Sequence, residues 1–133
     1  MATIRINIDV SATPAQAWDV IRDIGAVHTR FAPGFVVDTV LEEGARLVKF
    51  ANGATVRELI VAVDEDLRRV AYSATGGNLQ HHNASFEVTE LPTGRTRIVW
   101  TADALPEAAA KTVRGMMEAG SRVIQQTLDR LGP

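Results

Sequence analysis

The chain opens on strict alternation. In TIRINID, residues 3–9, Ile4, Ile6 and Ile8 fall on one face with polar residues between them, the period of a half-buried strand. The pattern then changes. In TPAQAWDVI, Thr13 is placed to cap a helix, Pro14 suits its first turn and Gln16 completes a capping box, so a helix runs to about residue 22. A second short helix is expected over DIGAVHTRF, broken at Gly25 and ended by Pro33 and Gly34. Six strand-like runs follow: FVVDTVL, ARLVKF, ATVRELIVAV, LRRVAYSA, LQHHNASFEVTE and RTRIVWTAD. Turn signals separate them, among them Asn52-Gly53 and Gly76-Gly77. From Pro106 to about residue 131 the period lengthens again. Val113, Met117, Gly120, Ile124, Leu128 and Leu131 make one apolar stripe, with Lys111, Arg114, Glu118, Arg122 and Asp129 largely off it.

The order is therefore strand, two short helices, six strands, long helix. It predicts an α+β fold: a seven-stranded antiparallel sheet with one face covered by the C-terminal helix, the only element long enough to do so. A twisted sheet wrapped round one helix leaves a gap between them. Gly120 lies on the apolar stripe, where it serves either close helix–sheet packing or a cavity wall.

Composition narrows the function classes. At 133 residues, one domain over 1–133 with a real core is expected. The absence of cysteine excludes disulfides, thiolate catalysis and cysteine zinc sites, and suits a cytoplasmic protein. A net charge of −2 speaks against nucleic acid or an anionic membrane as partner. The alternating N-terminus lacks the apolar core of a signal peptide, and no run reaches the roughly 18 apolar residues of a membrane span.

The chemistry-bearing stretch is YSATGGNLQHHNASFEV, residues 72–88. Gly76-Gly77 joins two strands and so lacks the strand-to-helix setting of a phosphate loop; it reads as a turn needing positive φ. Alternation places His82 and Ala84 with Phe86 and Val88, and His81 on the opposite face with Asn83, Ser85 and Glu87. The two histidines then cannot share a metal, and His28 lies far away in sequence, so no metal site is expected. Arg69, Arg95 and Arg97 mark the outer face, which puts Arg57 out and Glu58 in. Tyr72 goes with Val70 and Ala74, and Trp100 with Ile98. No Ser-His-Asp order, HExxH or GxGxxG is present, and no cofactor is implied.

The element order, with VRELIVAVDEDLRRVAYSATGG followed by NASFEV, resembles the helix-grip fold of the SRPBCC superfamily. That group includes the major birch pollen allergen, the plant abscisic acid receptors, and bacterial polyketide cyclase/dehydrase and lipid-transport-like proteins. The resemblance spans essentially the whole chain. MATIRINIDVSATPAQAWDVI is similar to the opening of small bacterial members. Glu58 matches the glutamate of the receptors' Arg-Glu-Arg-Leu pattern, and Tyr72 the aromatic before their Gly-Gly. The receptors' gate and latch are not matched: ANGA stands for the gate, Leu79-Gln80-His81 for the latch, and Ala84 for the tyrosine after it. A hormone-receptor role is not implied.

The resemblance implies a hydrophobic cavity between sheet and C-terminal helix. In it, Glu58, Tyr72 and His82 would orient the polar end of a small hydrophobic ligand. Phe35, Val37, Phe86, Trp100, Met117 and Ile124 would line the rest. Three readings follow. The first is a binder of a lipid, polyketide or aromatic compound. The second is a cofactor-independent cyclase or dehydratase in which Glu58 or His82 moves protons. The third is a protein-interaction or chaperone-activator-like module, marked by an exposed apolar patch. The ligand's identity and the oligomeric state are not legible.

Overall fold

The computed structural model describes residues 2–132. Its elements are β1 (Ala2–Val10), α1 (Pro14–Ile21), a π-helical turn (Val27–Phe31), β2 (Val36–Glu42), β3 (Ala45–Phe50), β4 (Thr55–Asp64), β5 (Arg69–Thr75), β6 (His81–Glu90), β7 (Thr96–Leu105) and α2 (Glu107–Asp129). The strands form one antiparallel sheet in the order β1-β7-β6-β5-β4-β3-β2. This is the α+β helix-grip arrangement the periodicity and the resemblance predict.

Local chemistry explains the elements. Thr13 caps α1 through its side chain, which accepts from the Gln16 N–H, and the Gln16 side chain returns the bond to the Thr13 N–H. The second predicted helix is shorter than expected. A turn containing Gly25 precedes it, and the helical hydrogen bond that closes it runs from Ala32 N–H back to the Val27 carbonyl, a π spacing. Gly25 packs under the Leu41 side chain, which an added Cβ would meet at 2.8 Å and displace. Gly76 and Gly77 both hold positive φ in the turn between β5 and β6.

Two expectations need correction. Val37 does not face inward: it is 48% exposed, while Val36 is 3% exposed. The β2–β3 register shifts between Val36 and Asp38, and the inserted residue inverts the alternation extrapolated from Phe35. The C-terminal stripe also stops early. α2 ends at Asp129, tied down by the Ser11 N–H on its Oδ1 at 2.8 Å, so Leu131 lies beyond the helix and is exposed.

The buried interior has a tight end and a loose end. α2 packs against β1 and β7, and its C-terminal half buries Gly120, Ile124 and Leu128. Gly120 is a close-packing glycine: an added Cβ would lie 3.0 Å from the Phe35 ring and 3.3 Å from the Trp100 indole. Towards its N-terminus, α2 presents half-exposed Ala109, Val113 and Met116 to the sheet, and the two layers separate.

Candidate ligand-binding cavity

The separation leaves a cavity of about 710 Å³. Phe35 and Phe50 close its deep side, together with Val56, Tyr72 and Trp100. Ala109, Val113, Met116 and Met117 of α2 form the roof. Its rim carries Asn52 and Ala54 from the β3–β4 turn and residues 75–79 from the β5–β6 turn. Strand parity supplies the wall: Glu58 pairs with Ala74, and Ile60 with Tyr72, across adjacent strands.

Three buried polar side chains, Glu58, Tyr72 and His82, border this apolar space. Glu58 is 8% exposed, and its Oε1 accepts from the Arg46 Nε at 2.8 Å. Burial pushes the Glu58 carboxyl above the ordinary carboxylate range, against the pull of the Arg46 guanidinium. Tyr72 lies flat beside Phe86 and accepts from the Trp100 Nε1 at 3.0 Å. Burial, helped by the Glu58 charge, holds its phenol well above the usual value, so it stays protonated and able to donate.

His82 is the third. It is 6% exposed, and His81 on the other face is exposed and bonded to Asn83 at 2.8 Å. The predicted split of the two histidines therefore holds. The His82 Nδ1 accepts from the Ala74 N–H at 2.9 Å. That bond requires a bare Nδ1 and so places the ring proton on Nε2. Burial pushes the imidazole below its ordinary value, with His81 adding to the effect and Asp103 opposing it. His82 is thus a neutral donor, and its one basic nitrogen is already occupied.

The ladder between β5 and β6 ends at Tyr72 and Ala84. Beyond it, Ser73 Oγ donates to the His82 carbonyl and Ala74 N–H donates to the His82 ring. Side chains replace the strand pairing at the point where the cavity rim begins.

Of the predicted lining, Phe35, Glu58, Tyr72, His82, Trp100 and Met117 border the cavity. Val37 does not, for the register reason above. Phe86 and Ile124 lie deeper. Phe86 sits between Phe31, at 5.0 Å between centroids, and Trp100, at 4.5 Å, so it is a member of the aromatic core. Together with Ile124 it borders a separate void of only about 50 Å³.

Arg46 was not singled out by sequence. It is 6% exposed, donates from Nη1 to the Ile24 carbonyl at 3.2 Å, and lies over the Tyr72 ring with its Cζ 5.4 Å from the centroid. The signal was present: in ARLVKF, Arg46 shares parity with Val48 and Phe50. Among the described residues, no three metal-ligating side chains converge. Nor, among the described residues, is any helix long and apolar enough to cross a membrane.

None of the curated proteins matches the chain. Solved structures do. XoxI from Bacillus cereus is 18% identical, with 96% of each chain covered and a TM-score of 0.84. A protein from Thermobifida fusca is 26% identical, covering 98% of this chain and 95% of its own, with a TM-score of 0.78. Truncated norcoclaurine synthase from Thalictrum flavum is 16% identical, covering 94% and 91%, with a TM-score of 0.70. The model of the family described as polyketide cyclase/dehydrase and lipid transport matches residues 1–132. With the strand order, the gripping α2 and a sequence match over residues 1–132 in agreement, the chain belongs to that family.

Proposed function

We propose that this protein binds a small hydrophobic molecule in the cavity between the sheet and α2. The observation that carries the reading is the cavity. Its volume of about 710 Å³ falls within the roughly 300–1,000 Å³ of small-molecule sites. Its wall is mostly aromatic and aliphatic, with Glu58, Tyr72 and His82 as its buried polar groups. That mixture suits a ligand with an apolar body and one polar end. The family's description as cyclase/dehydrase and lipid transport supports the same reading.

The test is a titration with ethylnaphthalene, an uncharged aromatic hydrocarbon, followed through backbone amide NMR shifts. Saturable shifts at Val56, Tyr72, Ala74, Val113 and Met117 are expected. Shifts confined to the outer face of the sheet, or none at all, would end the proposal.

One observation favours an added catalytic role. Glu58 borders the apolar cavity, and burial raises its proton affinity against the pull of Arg46, as suits a group that takes up and releases a proton. His82 is the poorer base because its Nδ1 lone pair is taken. In this reading Glu58→Gln abolishes turnover of a bound polyketone while ethylnaphthalene still binds. Unchanged turnover removes Glu58 from the chemistry.

A further inference from the structure

Ligand charge is constrained by a feature of the wall. Among the described residues bordering the cavity there is no lysine or arginine; Glu58 is the one formally charged group. The nearest buried cation, Arg46, borders the smaller neighbouring void and not this cavity, and it is already engaged. Its Nε serves Glu58, its Nη1 serves the Ile24 carbonyl, and the face of its guanidinium rests on Tyr72. His82 offers no charge either, since the Ala74 N–H occupies the nitrogen that would take the second proton.

A carboxylate placed in this cavity would lose its water and meet a second carboxyl with no cation to pair with. A desolvated, unpaired charge is among the most costly things a protein interior can hold. An ammonium would meet Glu58, but that charge is already balanced by Arg46, so the buried group would be left with a net positive charge. What the buried part of the wall does offer is two uncharged donors, with the exposed Asn52, Thr75, Asn78 and Thr112 confined to its outer margin. Nothing among the described residues accepts from the His82 Nε2–H or from the Tyr72 O–H. Both groups border the same cavity.

Resting on the reading of this cavity as a ligand site, we infer that the ligand is electrically neutral. Its polar end is an oxygen acceptor, a ketone, ester or hydroxyl, taken by the Nε2–H of His82 with Tyr72 beside it, and free carboxylates such as fatty acids are rejected.

The test is a competition series on one naphthalene skeleton at neutral pH: ethylnaphthalene, acetylnaphthalene, methyl naphthoate, naphthoate and naphthylethylamine. The ketone and the ester should bind best. Naphthoate should be weaker than its own methyl ester by on the order of 100-fold, the scale of burying an unpaired charge. In His82→Phe, with the ketone and ethylnaphthalene both measured on the variant itself, the ketone's advantage over the hydrocarbon should shrink about 5-fold to 10-fold, the scale of one neutral hydrogen bond. Naphthoate or the amine binding as tightly as the ester overturns the inference and leaves the ligand site standing. A ketone advantage that survives in His82→Phe removes His82 as the donor and overturns it too. Failure of every compound, the hydrocarbon included, overturns the ligand site and the inference with it.

Discussion

The His82 ring stands where a rung of the sheet is missing: its Nδ1 accepts the Ala74 N–H at 2.9 Å just beyond the last β5–β6 pair. One residue therefore does two jobs. It closes the seam at the cavity rim, and its ring borders the cavity.

The seam makes stability depend on pH. The folded pKa of His82 lies below its ordinary value, so between that folded pKa and about 6.5 the unfolded chain binds the extra proton and the folded chain does not. His82 therefore contributes stability above about pH 6.5, and that contribution is lost as pH falls through the folded pKa. Thermal unfolding of the wild type should shift to higher temperature from about pH 5.5 to pH 7.5, the side of the window set by the free imidazole value. His82→Phe should flatten that rise and cost about 1 kcal/mol at the upper end for the unmade bond to Ala74. An unchanged slope would show that the seam does not titrate through His82.

The Arg46–Glu58 pair should behave as one unit. Both residues are buried, and either one alone is an uncompensated charge. Arg46→Met and Glu58→Leu should each destabilise by about 3–5 kcal/mol, and the double variant by far less than the sum. Chemical denaturation of the four proteins measures the coupling. Additive losses would mean that the two side chains act independently.

The two glycines of α2 should respond in opposite ways. Gly115 has open space where a Cβ would go, so Gly115→Ala should stabilise by up to about 1 kcal/mol through helix propensity. Gly120 lies against Phe35 and Trp100, so Gly120→Leu should destabilise by about 1–3 kcal/mol through overpacking. Melting temperatures of both variants check the contrast.

The tryptophans separate ligand binding from general change. Trp100 borders the cavity, whereas the Trp18 indole is bonded to Glu65 at 2.6 Å and lies outside it. Ligand addition should alter emission in Trp18→Phe and leave it unaltered in Trp100→Phe. The reverse result would place the ligand elsewhere.

Much of this was legible in the chain because sheets and amphipathic helices write their periods directly. The seven strands, α1 with its capping box and the opposed faces of His81 and His82 follow from alternation and capping alone. What alternation cannot see is a change in count. One shifted residue between Val36 and Asp38 turned Val37 outward, and the same shift brought Val36 into the core. Depth is invisible as well: Phe86 and Trp100 share a face, yet Trp100 borders the cavity and Phe86 is sealed beneath it. Arg46 was missed for another reason. Its parity was inward, but a buried arginine is credible only once its partner Glu58 is known to lie on the paired strand, and that is a fact of register.

Native mass spectrometry of the protein as purified from cells, with a denatured control, decides whether the cavity is a ligand site. A discrete added mass that is lost on denaturation is expected, or, from a bare protein, stoichiometric uptake of an uncharged ketone or ester. A bare mass together with no uptake of any hydrocarbon, ketone or ester would contradict it.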